Sequence, residues 1–465
     1  MIRLFRQYFS VTSFVFILGE GLLIYWAVFW TAYFIFNMDL ELLSMQPMIW
    51  LKILLITLVT QLGLYFNDLY EKKSIDNYID LFTRLIRSIG ITAIMLAIIY
   101  FLFPSVMIGR WIFFISFIFL LILLVSWRLL YSFVMKRKFF AEKAIILGFG
   151  ELAQDIFHEA NNRKDLSYNI DSIIMPEQNH ATKDRFKGIS VHYGFDKICD
   201  LAESVNAKNV IVALDQKRGL LPYVELLKCK VRGINIIDGE NFYERITGKL
   251  LIERINPSWL IFSDGFVKSK TARFVKRVAG FLGAFVALII LLPLIVPVAL
   301  AIKLDSRGPV FFRQERVGEN GKIFNLFKFR SMKVDAEESS GPVWTSHNDP
   351  RITRVGQIIR KIRIDEIPQI WNVLKGEMSF VGPRPERDFF VQKLEKKVPF
   401  YRERFTVKPG ITGYAQVLYP YGASEQDALE KLKYDLYYIK NMSFILDLMV
   451  IFKTIKIVLL GRGAR

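Results

Sequence analysis

The sequence predicts a membrane protein in three parts. These are an N-terminal four-helix transmembrane bundle, an α/β Rossmann-like middle domain, and a re-entrant membrane helix followed by a mainly α-helical (α/β) domain at the membrane surface. Three observations predict it. Four long apolar stretches fill residues 1–138. From residue 142 to about 255, short β-branched runs alternate with helical ones. A fifth apolar stretch, 270–302, has prolines in its middle and basic residues on both sides, and it introduces the remaining segment 303–465.

The chain has 465 residues, too many for one ordinary core, which fits about three domains. Hydrophobic residues make up 52%, a share typical of several membrane spans rather than of a soluble protein. The net charge of +18 suits anionic lipid surfaces and anionic substrates, with nucleic acid an alternative at this point. Cys199 and Cys229 form no C-x-x-C pair, so the sequence supports neither a disulfide framework nor a zinc site, and two reduced thiols are expected.

The four apolar stretches run over roughly 11–36, 47–66, 84–104 and 109–134, each about the 20 residues a bilayer requires. The first is too long for a cleaved signal peptide and lacks a small-residue cleavage site. Arg3 and Arg6 precede it, residues 37–46 contain no Lys or Arg, and Lys72, Lys73, Arg84 and Arg87 follow the second. Only Arg110 marks the third connection, and Lys136, Arg137 and Lys138 follow the fourth. That alternation places both ends of the bundle in the cytoplasm. No cluster of ionisable residues marks an ion path through the spans, and Asp68 and Glu71 sit at an edge, so the bundle reads as an anchor or dimerisation module.

In the middle domain, 144–147, 171–175, 209–214 and 233–237 read as strands of a parallel sheet. Gly148-Phe-Gly-Glu-Leu-Ala153 follows the first strand directly, a G-x-G-x-x-A variant of the dinucleotide turn. Gly148 and Gly150 let backbone N–H groups approach a phosphate, or they serve only the tight turn. Asp171 stands near the position of a ribose-binding acid.

The stretch 278–302 contains Pro293 and Pro297, which a straight helix does not accommodate. Its flanks are basic on both sides, with Lys268, Lys270, Arg273, Lys276 and Arg277 before it and Lys303, Arg307, Arg313 and Arg316 after it. A span carries its cations asymmetrically. The expectation is a helix that enters the cytoplasmic leaflet, breaks near Pro293 and returns; a kinked full span is the alternative.

Beyond it, basic and aromatic residues interleave from 303 to 333, including Phe327, Lys328, Phe329 and Arg330. Directly after a membrane segment, such a stretch suits a diphosphate and anionic lipid better than nucleic acid. In Arg360-Lys-Ile-Arg-Ile-Asp-Glu-Ile-Pro-Gln369, Asp365 and Glu366 follow three cations. Nearby cations depress carboxylate pKa values. An ionised Asp there can act as a nucleophile, and its neighbour can ligate Mg²⁺. Acids at a helix start are also favoured by the dipole alone. Ser379-Phe-Val-Gly-Pro-Arg-Pro-Glu386 fixes Arg384 between prolines, where its fork suits a phosphate. Lys408-Pro-Gly-Ile-Thr-Gly-Tyr-Ala-Gln416 reads as a rigid wall or a plain connector. The apolar segment 444–459, interrupted by Asp447, Lys453 and Lys456, reads as an interfacial helix or a packed core helix.

Taken together, Asp305-Ser-Arg-Gly-Pro-Val-Phe-Phe-Arg-Gln314, Phe327-Lys-Phe-Arg-Ser-Met332, Ile364-Asp-Glu-Ile-Pro-Gln369, 372–385 and Lys408–Gln416 resemble the bacterial sugar transferase family, the monotopic phosphoglycosyl transferases. The resemblance runs from about Lys270 to the end, and the N-terminal half is similar to long-form members that start exopolysaccharide or O-antigen units. It implies transfer of sugar-1-phosphate from a UDP-sugar to undecaprenyl phosphate at the bacterial inner membrane, with UMP released and a covalent phosphosugar on Asp365. It further implies Mg²⁺ associated with Glu366 and Asp365, phosphate contact by Arg384, and functional roles for Lys328, Arg330 and Asp435. Membrane lipids are implied partners, nucleic acid is not, and a homodimer follows by analogy. Leu292-Pro293 stands where the family bends at Ser-Pro, and Tyr414 where Trp is frequent. Two other classes stay open: a membrane-bound nucleotide-sensing or assembly scaffold built on the Gly148 turn, and a transporter.

Overall fold

The structure is a computed structural model. It describes residues 2–4, 7–9, 11–70, 78–136, 141–163, 168–176, 186, 188–215, 219–254, 263–334, 336, 349–419, 422 and 424–461. The charges expected at Arg6, Glu71, Lys72, Lys73, Arg137 and Lys138 lie outside the described residues. Apart from a few residues at the start, two compact units divide between Phe242 and Tyr243.

The first unit holds four apolar helices: α1 (Val11–Ile35), α2 (Ile49–Phe66), α3 (Tyr78–Leu102) and α4 (Arg110–Lys136). Each is long and apolar enough to cross a membrane. They share one core around Ile24, Ile53, Leu85 and Leu124. At Gly63 an added Cβ would lie 2.4 Å from Thr92 Oγ1 and 2.9 Å from the Ser88 carbonyl, so α2 and α3 touch through glycine. The spans carry a buried ion pair that length and apolarity alone do not reveal. Glu20 on α1 is fully buried and pairs at 2.8 Å with Arg128 on α4, which also donates to the Leu69 carbonyl. Each charge thus has its partner on another helix, which ties α1 to α4.

The same unit contains a five-stranded parallel sheet. Its strands are β1 (Glu142–Leu147), β2 (Tyr168–Met175), β3 (Ser190–Tyr193), β4 (Asn209–Val212) and β5 (Asn235–Asp238), in the order β3-β2-β1-β4-β5. This is the Rossmann-like arrangement, with the order reversing at β1 and β4. Helix α5 (Glu151–Asn162) follows the glycine turn. Helices α6 (Ile198–Ser204) and α7 (Tyr223–Val231) pack side by side and bring Cys199 and Cys229 to a Cα–Cα distance of 5.2 Å. The structure joins them as a disulfide, against the expected free thiols; a separation of 30 residues gave no spacing signal for it. The sheet domain closes before the expected 255, because Leu250 and Ile252 belong to the core of the second unit.

That unit begins with α8 (Gly239–Thr247), which straddles the division, and continues into α9 (Lys270–Asp305). The expected interruption at Pro293 is absent: α9 is one 36-residue helix with both prolines inside it. Each proline withholds a single N–H from the helix ladder, and the helix continues through both losses. Along its whole length α9 packs on the domain that follows. Arg277 donates to the Leu374 carbonyl at 2.7 Å, Ala284 shares a core with Ile370 and Val373, and Val298 and Ile302 share one with Phe329 and Ile359.

The domain itself consists of an antiparallel hairpin, β6 (Phe311–Val317) and β7 (Ile323–Phe329), then α10 (Arg354–Lys361) and α11 (Gln369–Lys375). A short parallel pair, β8 (Ser379–Val381) and β9 (Gly410–Thr412), brackets α12 (Asp388–Glu395). Helices α13 (Tyr414–Leu418), α14 (Glu425–Asn441) and α15 (Phe444–Leu459) complete it, with Ser424 and Asp427 forming a capping box on α14. Helix α15 is both core and surface. Leu446 and Val450 are buried, while Phe444, Leu448, Phe452, Ile455 and Leu459 are exposed along one stripe.

Candidate active site

Helix α10 ends at Lys361, and Arg363 takes a left-handed φ of 60° that a non-glycine residue adopts only at a cost. The chain then makes one tight turn, Ile364–Glu366, before Pro368 opens α11. This turn carries Asp365 and Glu366 inward, where they are 7% and 8% exposed. Two adjacent buried carboxylates need compensation, and cations from three directions provide it. Lys328 on β7 places Nζ 3.0 Å from Glu366 Oε1 and 3.8 Å from Asp365 Oδ2. Arg384 lies 3.2 Å, and Arg363 3.7 Å, from the same Glu366 oxygen.

Each cation has its own support. The buried Asn372 side chain accepts from Phe327 N at 3.1 Å and donates to the Asn325 carbonyl at 2.7 Å, fixing β7 against α11 and with it Lys328. Arg384 sits in the loop after β8, where Arg404 donates to its carbonyl at 3.2 Å and Arg316 donates to the Pro385 carbonyl at 3.2 Å. The loop's Gly382 lies against the Lys408–Gly410 backbone, and an added Cβ would come within 2.3 Å of the Lys408 carbonyl. The two Gly/Pro motifs are therefore one packed unit, with glycine where the backbones meet.

The two carboxyls shift in opposite directions. Burial opposes ionisation of Glu366, but Lys328, Arg384 and Arg363 outweigh it and hold the group well below the usual carboxylate range. Asp365 goes the other way. Burial pushes it up, and Lys328, Arg360 and Arg363 offset this only in part while the Glu366 charge adds to it. The expected depression by nearby cations thus holds for Glu366 and fails for Asp365, where desolvation wins. The result is an anchored anion beside a more basic, more nucleophilic carboxyl.

Two other expected site residues do not reach the dyad. Arg330 is buried and donates to the Ser306 carbonyl at 2.7 Å and its hydroxyl at 2.9 Å, fastening the end of α9 to β7. Asp435 is buried on α14 and accepts from Arg404 at 2.8 Å. It is therefore a positioning residue that reaches Arg384 through Arg404. Sequence reasoning passed over Arg404 itself, which lies in no motif and meets Asp435 only in the fold.

The glycine turn is closely packed. Gly148, at φ 144°, lies against the Ala213 carbonyl. The carboxylate of Asp215, just after β4, accepts from Glu151 N at 3.2 Å and Leu152 N at 3.3 Å. It occupies the helix N-terminus where a phosphate would bind, and an added Cβ on Gly150 would lie 1.8 Å from Asp215 Oδ2. Among the described residues, no three or more His, Cys, Asp or Glu side chains gather as a metal cage. The dyad alone fits a hard cation that draws most of its ligands from substrate phosphates.

Residues 271–461 match the family model described as bacterial sugar transferase, and residues 65–223 match one described as a CoA-binding domain. The UDP-N-acetylgalactosamine-undecaprenyl-phosphate N-acetylgalactosaminephosphotransferase of Aeromonas hydrophila is 42% identical over 240 residues, 52% of this chain and 56% of that one. The undecaprenyl-phosphate glucose phosphotransferase of Komagataeibacter xylinus is 43% identical over 218 residues, 46% of this chain and 41% of that one. The chain thus spans about half the length of these two relatives. The UDP-galactose-lipid carrier transferase of Erwinia amylovora is 30% identical over 353 residues, 71% of this chain and 70% of that one. With that coverage, and with the dyad and its cations inside the matched region, the chain belongs to the bacterial sugar transferase family.

Proposed function

We propose that the chain transfers a sugar-1-phosphate from a UDP-sugar to undecaprenyl phosphate, as the names of its relatives suggest. The observation that carries this reading is the pair of buried carboxyls with opposite pKa shifts under three cations. Asp365 attacks the β-phosphorus of the donor. The bond from that phosphorus to the bridging oxygen breaks, and UMP leaves with the electron pair. The phosphosugar remains on the carboxylate as an acyl phosphate. A phosphate oxygen of undecaprenyl phosphate then attacks the same phosphorus and frees Asp365. Lys328, Arg363 and Arg384 hold the phosphate charge, and Glu366 keeps that cation set in place. Mg²⁺, held by Asp365 and Glu366 with the donor phosphates, would neutralise the diphosphate.

The membrane placement is part of the same proposal. Helix α9 lies in the cytoplasmic leaflet of the inner membrane with both ends on one side. The support is that Arg277 near its start and Ile302 near its end are bound to the same domain. The apolar stripe of α15 lies at the interface. A nucleotide-sensing role for the Gly148 turn draws on the match of 65–223 to a CoA-binding domain, but Asp215 sits in its phosphate seat.

The test is UMP release by the full chain on a panel of UDP-sugars with Mg²⁺ and undecaprenyl phosphate. Release on at least one donor, abolished by Asp365→Asn, is expected. Undiminished release by that variant would refute the mechanism.

A further inference from the structure

A cavity of about 420 Å³ opens at the start of α9, within the usual range for small-ligand sites. None of the residues around the carboxyl dyad lines it. Five cations do, Lys268, Arg273, Lys276, Arg277 and Lys408, against one acid, Glu319. Three of the five are already committed. Lys276 pairs with Asp447 at 2.7 Å, Lys268 donates to the Lys440 carbonyl at 2.9 Å, and Arg277 donates to the Leu374 carbonyl. Carbonyls satisfy donors without cancelling charge, so most of the positive charge persists.

Lys408 is half-buried and has no hydrogen-bond or ion-pair partner among the described residues. Burial pushes its ammonium down, the Arg277 charge adds to that, and Glu319 only partly offsets both. A desolvated cation that is offset only in part is unfavourable, and an anion in the cavity would remove the penalty. Most of the remaining wall is apolar, with Phe266, Val373, Met378, Val381, Val407 and Met442, beside the hydroxyls of Ser379, Thr406 and Tyr438. The cavity's outer edge is the root of α9, whose Phe281, Leu282 and Phe285 are exposed just beyond.

An anion-seeking end, an apolar wall and a helix lying in the leaflet point to one ligand chemistry. We infer that this cavity seats the phosphate headgroup of a lipid, its hydrocarbon running along α9, at a site separate from the dyad. The inference rests on the proposed placement of α9 in the leaflet. The phosphate comes either from a bilayer phospholipid or from a polyprenyl phosphate.

The test uses the full chain carrying Asp365→Asn, so that lipid retention is read without turnover and independently of the transfer mechanism. Delipidated protein is reconstituted in nanodiscs of phosphatidylcholine with 30% phosphatidylglycerol, and bound lipid is measured by native mass spectrometry. Phosphatidylglycerol should be enriched over phosphatidylcholine. Adding Lys408→Gln should weaken retention about tenfold, the loss of roughly 1.4 kcal/mol of binding, and Lys408→Arg should restore it. Arg273→Gln, an exposed position that leaves the fold alone, should weaken it in the same direction. Added undecaprenyl phosphate that displaces phosphatidylglycerol identifies the acceptor as the ligand; undisturbed phosphatidylglycerol identifies the bilayer lipid. Equal retention of both phospholipids by the Lys408 form and the Lys408→Gln variant, with no undecaprenyl phosphate bound, would overturn the inference.

Discussion

The buried pair of Asp435 and Arg404 makes a prediction that separates holding a site from performing its chemistry. Arg404 is 5% exposed and donates to Asp435 at 2.8 Å, to the Tyr401 hydroxyl at 2.6 Å and to the Arg384 carbonyl at 3.2 Å. Asp435→Leu removes the carboxylate hydrogen-bonded to that guanidinium, and Glu386 compensates the buried charge only in part, at a cost of about 3–5 kcal/mol. For a unit of this size each kcal/mol is worth about 2–4 °C, so the melting temperature should fall by roughly 6–20 °C. Asp435→Asn also removes the negative charge but keeps an acceptor in place, and should cost less than Asp435→Leu, about 1.5–3 kcal/mol. The double variant Asp435→Leu/Arg404→Met removes both charges and should recover most of the lost stability. It should not recover activity, because the Arg384 carbonyl has lost its donor and the Arg384 fork is no longer aimed at Glu366. The assay is thermal unfolding in detergent by intrinsic fluorescence, paired with UMP release at a saturating donor concentration. A double variant that regains both melting temperature and turnover would refute the positioning role. So would an Asp435→Leu variant that melts like wild type.

Three further outcomes follow from the same geometry. At an effective dielectric of about 20, charges 3.0, 3.2 and 3.7 Å from Glu366 contribute about 5.5, 5.2 and 4.5 kcal/mol, so Lys328 supplies roughly a third of the cation field. Lys328 is also the foremost cation holding Asp365 down, so Lys328→Met should move the acid limb of the kcat/KM profile to higher pH, and Arg384→Met should leave that limb in place. Gly382→Ala forces a Cβ to within 2.3 Å of the Lys408 carbonyl. The loops must part, costing about 1–3 kcal/mol, and UMP release should drop far more than thermal stability. Burial pushes Asp435 up to about 6 against the opposing Arg404 charge. Its folded pKa thus exceeds its unfolded value of about 3.9, so its contribution to stability is fullest below about pH 4 and declines as pH rises through about 6. Melting curves of wild type minus Asp435→Asn between pH 4 and 7 should show that decline.

Much of the fold was legible because burial leaves simple patterns. Strands β1 and β4 are apolar on both faces, as a central parallel sheet requires, and they stand out as continuous runs. Strand β3 was missed because Ser190–Tyr193 is a short edge strand containing Ser and His, with neither a buried run nor a strong alternation of hydrophobics. The four spans needed only length and apolarity, yet Glu20 and Arg128 find each other across 108 positions, a distance no window covers. The dyad was visible as composition. The direction of the Asp365 shift was not, because desolvation depends on what packs over the turn. Gly148 and Gly150 were correctly marked as a tight turn, and only the fold shows Asp215 in the seat they create, 64 positions from Glu151. Arg330 and Asp435 carry the right chemistry for phosphate, but their partners Ser306 and Arg404 draw them away from the dyad.

The central claim is a phosphosugar carried on Asp365. Intact-protein mass spectrometry of the full chain, mixed with its UDP-sugar and Mg²⁺ and no acceptor, reads this directly. The account predicts one added sugar phosphate, mapped to Asp365, absent from Asp365→Asn and discharged when undecaprenyl phosphate is supplied. Steady UMP release with acceptor present, and no adduct on Asp365 at any time, would contradict it.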